Sequence, residues 1–210
     1  MAVGSLQSEH RIVLRDVAWS TFEALLAETD HRGTRFTYDH GYLEIVSPSD
    51  LHEWLKRLLG RMVETMTVEL DIPIRSGGST TLKHQLKQRG LEPDECYYVT
   101  HEPMVRGRDR LDPTIDPPPD LAIEVDISVS SIDKLVIYAD LGVPEVWLCD
   151  GKSLKVYQLQ PDGTYTQQSR SPAFPFLPLE EVQDFLARRD QTDETSLIRS
   201  FWTWVKTLKR

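Results

Sequence analysis

A regular alternation of apolar and charged residues over residues 120–127 is the clearest pattern in the chain. The order there is Asp120, Leu121, Ala122, Ile123, Glu124, Val125, Asp126, Ile127. A period of two is typical of a β-strand whose two faces differ. Such a strand carries three carboxylates on one face, where like charges repel unless a cation lies between them. The pattern therefore predicts a divalent metal ion at this face.

A helix and a second strand are predicted directly after it. Ser130 or Ser131 is expected to cap the helix, with Asp133 in its first turn. Helical spacing predicts one apolar stripe, made of Ile132, Leu135, Val136 and Ala139. The apolar run at residues 143–149 then predicts a strand, so residues 119–150 form a βαβ unit with two parallel neighbouring strands.

Lys134 lies in the first turn of this helix, close to the carboxyl end of the first strand. A cation at that position opposes the helix dipole, which makes a purely structural role less favourable. Carboxylates on a strand with a lysine beside them are the parts of a metal-dependent phosphodiesterase site.

The most regular helical pattern covers residues 51–70. Its apolar positions recur at steps of three and four residues, at Trp54, Leu55, Leu58, Leu59, Met62, Val63, Met66 and Leu70. Asp50 is expected to cap this helix, and His52 and Glu53 stand in its first turn, where they could face a site. Alternatively, Glu53 only complements the helix dipole and His52 is exposed to solvent.

Asp94 follows a proline and precedes a strand predicted over residues 96–99. Because successive side chains of a strand point to opposite faces, Asp94 is expected on the same face as Cys96 and Tyr98. This strand and the strand of Glu124 are consecutive along the chain, separated by a polar, proline-rich loop at residues 101–118, and are expected to be antiparallel.

The remaining segments predict an ordinary globular arrangement. The N-terminal arm spans about residues 1–14, and a C-terminal helical extension spans about residues 179–210. Hairpins are expected at residues 35–46 and 154–168, and the helix at residues 196–208 has an apolar face suited to core or dimer contact. The basic run at residues 83–89 is either a local contact for a phosphate backbone or a solvated loop.

Composition narrows the class of protein. The 210 residues fit a single domain, and the net charge of −9 argues against non-specific coating of nucleic acid. The sequence shows no apolar run of membrane-spanning length and no signal-peptide pattern, so a cytoplasmic protein without membrane contact is expected. Cys96 and Cys149 lie in apolar surroundings outside any metal-ligand pattern and are expected to be buried free thiols.

Several stretches carry a resemblance to known nucleases. They are GYLEIVSPSDLHE (41–53), GGSTTL (77–82), RGLEPDECYYV (89–99), PPDLAIEVDIS with DKL..YADLGVPEVWLCD (within 118–150), and FPFLPLEEVQDFL (174–186). The chain resembles the PD-(D/E)XK nuclease superfamily and, more closely, an Uma-type restriction endonuclease family that is abundant in cyanobacteria. The resemblance implies an α/β (α+β) fold, a restriction-endonuclease-like mixed β-sheet flanked by helices.

The resemblance also implies a site. Asp94 matches the PD aspartate and Glu124 the (D/E) position, and together they would bind Mg2+ or Mn2+. The chain departs from the pattern at the third position, where Asp126 replaces the expected lysine. Lys134 would then supply the lysine from the following helix, and Asp126 would be an extra ligand.

Further site residues follow from the same resemblance: His52 and Glu53 match a helix position that adds a ligand or an orienting group, and Asp120 matches a supporting position. The implied activity is Mg2+-dependent cleavage of DNA by a homodimer. The alternatives are a catalytically degenerate binding module and a regulatory module on the same fold. The acidic balance and the missing lysine favour the degenerate binding module, whereas the presence of Asp94, Glu124 and a nearby lysine in one chain favours the enzyme.

Overall fold

A computed structural model describes residues 9–28, 33–112, 115–128 and 130–208 of the chain. The strands are β1 His10–Leu14, β2 Arg35–Asp39, β3 Tyr42–Ser47, β4 Arg75–Ser76, β5 Leu82–His84, β6 Arg89–Leu91, β7 Glu95–Tyr98, β8 Leu121–Val125, β9 Glu145–Cys149, β10 Leu154–Leu159 and β11 Tyr165–Gln168. The α-helices are α1 Trp19–Glu28, α2 Asp50–Glu69, α3 Glu102–Val105, α4 Lys134–Leu141, α5 Leu179–Ala187 and α6 Glu194–Val205.

The strands form two sheets. A six-stranded mixed sheet has the order β11-β10-β9-β8-β7-β4, and a five-stranded antiparallel sheet has the order β1-β3-β2-β6-β5. The predicted α+β class is confirmed, and so are the parallel β8–β9 pair and the antiparallel β7–β8 pair. The sequence did not indicate the second sheet, because β5 and β6 are three-residue strands, too short to show an alternating pattern.

Helices cover both faces of the mixed sheet. Helices α2, α5 and α6 pack on one face, in a core cluster that contains Leu55, Ile123, Trp147 and Phe201. Helix α4 covers the other face, where Ala122 and Val146 meet its side chains. All five residues of β8 are therefore buried, and Glu124 on that strand is removed from bulk water.

Helix α2 begins one residue before the predicted boundary. Ser49 is its N-cap and accepts a hydrogen bond of 3.2 Å from the backbone N–H of His52, so the prediction of Asp50 as the cap is wrong. Ser49 has the extended backbone that a cap requires, whereas Asp50 already lies in the first turn. The solvent-exposed alternative for His52 is also wrong, since only 4% of its surface is accessible.

Helix α4 begins later than predicted, with Asp133 as its N-cap. Ser130 and Ser131 are not the cap; their hydroxyls instead donate to the carboxylate of Glu44. The predicted apolar stripe is correct for Leu135 and for Ile132, which precedes the helix, since both pack in the cluster beside α4. Val136 of that stripe is exposed, and the fully buried positions of α4 are Ile137 and Tyr138.

Strand β8 is shorter than the predicted strand, so the three carboxylates do not form one row. Asp120 precedes β8, and its Oδ2 accepts hydrogen bonds from the backbone N–H groups of Val99 (2.7 Å) and His101 (2.9 Å). Backbone donors satisfy Oδ2, and His101 Nδ1 lies 2.9 Å from Oδ1, so Asp120 is compensated by its own neighbours. Asp126 follows the strand.

The two ends of the chain contribute to the sheets and the core. The predicted N-terminal arm contains β1, which pairs with β3, while residues 1–8 lie outside the described residues. Helix α6 packs against α2 and buries Leu197, Phe201 and Val205 in the main core. Trp202 of the same helix remains 41% exposed, and dimerisation through this helix stays a prediction.

The expectation for the two cysteines is met. Cys96 and Cys149 are buried free thiols. Among the helices that the structure describes, none combines the length and the apolar character needed to cross a membrane.

Candidate active site

Asp94 and Glu124 face each other across two antiparallel strands. Glu95 of β7 pairs with Ile123 of β8, and continuing this register by one position places Asp94 opposite Glu124. Each of the two residues is 1% exposed. Asp94 Oδ2 also accepts a hydrogen bond of 2.8 Å from the backbone N–H of Val125, which fixes it against β8. Like charges at directly opposite positions destabilise a sheet, so nearby cations are needed.

Helix α4 supplies one of these cations. Lys134 Nζ lies 2.6 Å from Glu124 Oε2, and the hydroxyl of Tyr138 donates to Glu124 Oε1. Lys134 and Tyr138 are four residues apart and therefore share one face of the helix. Although burial lowers the pKa of Lys134, the carboxylates of Glu124 and Asp94 raise it above its ordinary value, so the amine stays charged. Burial raises the pKa of Glu124, and the charge of Asp94 raises it further, against the opposing effect of Lys134.

Helix α2 supplies the second cation, His52, and the residue preceding β1 supplies a carboxylate that holds it. His52 Nε2 lies 2.8 Å from Asp94 Oδ1, and His52 Nδ1 lies 2.6 Å from Glu9 Oε1. Because each ring nitrogen faces a carboxylate oxygen, both nitrogens donate and the ring is an imidazolium. Burial lowers the pKa of His52, but the hydrogen bonds to Asp94 and Glu9 outweigh it and raise the value to about 9. In return, although burial raises the pKa of Asp94, His52 brings it below its ordinary value.

This arrangement predicts an abnormal titration of His52. In the wild type, NMR of the imidazole should show a pKa of about 9. Replacing Glu9 by glutamine removes one hydrogen-bonded anion, and the pKa of His52 should fall. Glu23→Gln is the matched control, because Glu23 pairs with Lys83 on the other sheet and should leave the titration of His52 unchanged. An unchanged pKa in Glu9→Gln would show that Glu9 does not hold the ring.

Arg11 of β1 connects the N-terminal strand to the end of β8. Its guanidinium contacts Glu44 Oε1 (2.5 Å), Asp126 Oδ1 (3.2 Å) and Ser128 Oγ (2.9 Å). Ser128 also donates to Glu9. These contacts tie the residues after β8 to the antiparallel sheet and pair the carboxylate of Asp126 with a cation from β1.

An open cleft of about 390 Å³ gives access to the site. Glu124, Asp126, Lys134 and Tyr138 line it together with apolar residues of β9. The predicted residues Asp94, Glu124 and Lys134 are thus brought together, with His52 on the far side of Asp94. Asp126 lies in the cleft but pairs with Arg11.

Glu53 takes no part in this cluster of hydrogen bonds. Its Oε1 lies 3.6 Å from Arg35 Nη2, and its Oε2 lies 3.6 Å from Lys56 Nζ. The cations of the basic run at residues 83–89 are engaged within the protein: Lys83 pairs with Glu23 (2.7 Å), and Arg89 Nε contacts Asp39 (2.8 Å). Such pairing argues against a phosphate contact by this run.

Three partners of the site were missed by sequence reasoning. A signal existed for Tyr138, which follows Lys134 by four residues on the predicted helix and so lies on the same face. Glu9 and Arg11 have no local signal, because only the pairing of β1 with β3 brings them to Asp94 and β8.

The donor set of Asp94 and Glu124 suits a hard divalent cation. Within the part of the chain that the structure describes, no group of three or more His, Cys, Asp or Glu side chains is arranged to hold a metal. Mg2+ in phosphoryl-transfer sites is commonly held by one or two carboxylates, with water and substrate phosphate completing its shell. A carboxylate has about four lone-pair positions, so the bonds from Val125, His52, Lys134 and Tyr138 leave acceptor capacity. Two opposed carboxylates therefore fit this binding mode.

Comparison with models of protein families gives a match. The sequence model of the family Uma2, described as "Putative restriction endonuclease", matches residues 19–187, which is most of the chain. No curated protein matches the sequence. The matched range contains Asp94, Glu124 and Lys134, whereas Glu9 and Arg11 precede it.

Proposed function

The chain belongs to the Uma2 family, and on this basis we propose that it is a Mg2+-dependent endonuclease that hydrolyses phosphodiester bonds of DNA. The observation that carries the proposal is the pair of buried carboxylates, Asp94 and Glu124, opposed on adjacent strands. Lys134 Nζ, 2.6 Å from Glu124, lies beside them at an open cleft. This combination provides both anionic ligands and a fixed cation at one place.

Asp94 and Glu124 would hold Mg2+ or Mn2+. When bound, the ion supplies positive charge against the phosphate and lowers the pKa of water. Lys134 presents its ammonium group to the cleft, where it can offset charge on a phosphate or orient a water molecule. Tyr138 fixes the carboxylate of Glu124 by donating to Oε1, and His52 fixes that of Asp94 by donating to Oδ1.

Asp126 is proposed as an additional acidic group at the same cleft. It stands where the lysine of the resembling nucleases is expected, and Lys134 takes over that role from helix α4. Because Arg11 holds Asp126 at 3.2 Å, the carboxylate is partly neutralised and competes only weakly for the same cation.

The proposal is tested by incubating the purified chain with supercoiled plasmid and with linear duplex DNA. Cleavage is expected with Mg2+ or Mn2+, should stop when EDTA is added, and should return when the metal is added in excess. A Glu124→Gln preparation made in parallel excludes a contaminating nuclease. Absence of cleavage in both metals on both substrates would overturn the proposal.

A catalytically degenerate DNA-binding module is the second candidate. It is favoured by the contacts of Glu124, whose two oxygens are both engaged, one by Lys134 and one by Tyr138. DNA binding without cleavage in either metal would support this candidate.

A further inference from the structure

Two buried polar atoms beside Asp94 lack hydrogen-bond partners in the described structure. They are Arg35 Nε and Glu53 Oε1. Buried donors and acceptors are nearly always paired in folded proteins, and an unpaired group needs an explanation such as a bound ligand. Here a donor and an acceptor are unpaired at the same place, next to the candidate active site.

The geometry brings three charged side chains close to one another beside Asp94. Arg35, at the start of β2, has its Nε 3.9 Å from Asp94 Oδ1. Its Nη2 lies 3.6 Å from Glu53 Oε1, and Lys56 Nζ lies 3.6 Å from Glu53 Oε2. All three separations exceed normal hydrogen-bond length, so these charges attract one another without forming hydrogen bonds. Glu53 thus stands between two cations without saturating either of them.

The two cations are largely buried, whereas the carboxylate between them is partly exposed to solvent. The side chains of Arg35 and Lys56 are 13% and 11% exposed, whereas that of Glu53 is 42% exposed. The surrounding structure therefore holds the two cations in place, while the carboxylate can turn out to solvent. An anion that takes its position would meet a guanidinium and an ammonium group that are already oriented.

The chemistry of this pair matches a phosphate group. A guanidinium presents a planar fork of donors that suits phosphate oxygens, and a lysine adds a compact charge. The cations of the basic run differ: Lys83 is already paired with Glu23 at 2.7 Å. Arg35 Nε is a buried donor without a hydrogen-bond partner, and it lies 3.9 Å from Oδ1 of Asp94, a proposed metal ligand.

We propose that Arg35 and Lys56 bind a backbone phosphate of DNA beside Asp94, and that Glu53 occupies the phosphate position when DNA is absent. The identity of the ligand rests on the proposed function. Glu53 then acts as an internal competitor for DNA, which differs from the ligand or orienting role expected from the resemblance.

Binding of a fluorescein-labelled DNA duplex in EDTA, followed by anisotropy over a series of salt concentrations, tests the proposal without cleavage. Arg35→Gln should weaken binding roughly tenfold at about 50 mM salt and reduce the log–log salt slope by about one. Arg35→Lys should restore the slope and part of the affinity. Glu53→Gln removes the competing charge and should tighten binding several-fold.

Lys83→Gln is the matched control. It removes one cation of the basic run, whose partner is Glu23, and should leave affinity and slope unchanged. The inference would be overturned if the wild type did not bind DNA. It would also be overturned if Arg35→Gln and Glu53→Gln both bound DNA with the affinity and salt slope of the wild type. If Arg35→Gln fails to fold by circular dichroism, Glu53→Gln decides the question, because tightening is not a consequence of damage.

The outcomes for this inference and for the proposed function are separable. Arg35-dependent binding without cleavage in any metal would overturn the nuclease proposal and leave the phosphate site in place. Metal-dependent cleavage with DNA binding indifferent to Arg35 and Glu53 would overturn the phosphate site alone.

Discussion

Replacing Glu124 by glutamine is expected to abolish Mn2+ binding and to slow DNA cleavage at least roughly 10³-fold, which corresponds to about 4 kcal/mol of transition-state stabilisation. Asp94→Asn should have the same effect. Each substitution replaces an anionic oxygen ligand by a neutral amide, and a site with two protein carboxylates keeps only one. Calorimetric titration of Mn2+ and initial cleavage rates measure the two effects separately.

Asp120→Asn is the matched control for both variants. It neutralises another buried carboxylate next to the same strand, but one that accepts hydrogen bonds from Val99 and His101. Mn2+ binding and cleavage should persist in this variant. Equal Mn2+ binding by the wild type and Glu124→Gln would refute the metal site, and loss of binding in Asp120→Asn as well would point to a general effect on the fold.

The sequence was most informative where chemistry coincides with a short local pattern. The alternation around Glu124 and the placement of Asp94 just before its strand identified two neighbouring strands, since strand parity depends only on residues close in sequence. Lys134 was found because a helix start follows the strand within a few residues. These three residues are close together in the structure for the reasons that the pattern indicated.

Features that depend on the position of a helix start were predicted less well. The predicted stripe included Val136 and left out Ile137 and Tyr138, so Tyr138 was not recognised as a partner of Glu124. Positions on a helix repeat every 3.6 residues only within the helix, so a residue that precedes the helix cannot be used to find its buried face. Ile132 precedes the N-cap Asp133, and its apolar character therefore did not show which face of α4 is buried.

Contacts made by segments without a local pattern could not be predicted. Glu9 and Arg11 belong to a stretch whose residues 10–14 are mostly exposed, so β1 has no periodic pattern. Arg35 is a single arginine at the start of a hairpin strand, and nothing local indicates that Asp94 lies 3.9 Å from its Nε. Such proximity results from the packing of the two sheets.

Replacing Lys134 by methionine is expected to destabilise the protein by about 3–5 kcal/mol, because it leaves the carboxylate of Glu124 buried without its cation. The effect should depend on pH. Loss of the lysine charge raises the pKa of Glu124 further above its ordinary value of 4.5. The folded state then retains a proton that the unfolded state releases, so the contribution of Glu124 to stability is most favourable at low pH and falls as pH rises above about 4.5. Urea unfolding across this range measures the change.

The double variant Lys134→Met/Glu124→Gln separates stability from chemistry. It leaves neither buried charge, and most of the lost stability should return, since a buried ion pair is often no more stable than a neutral replacement. Lys87→Met, at an exposed lysine that donates to the backbone of Asp140, is the control and should change stability by less than about 0.5 kcal/mol.

If the single variant Lys134→Met were as stable as the wild type, Glu124 would already be protonated in the native protein. If the double variant instead regains stability but does not cleave DNA, the 2.6 Å pair of Lys134 and Glu124 contributes little net stability. Its role is then to keep a charged lysine and a carboxylate at the cleft.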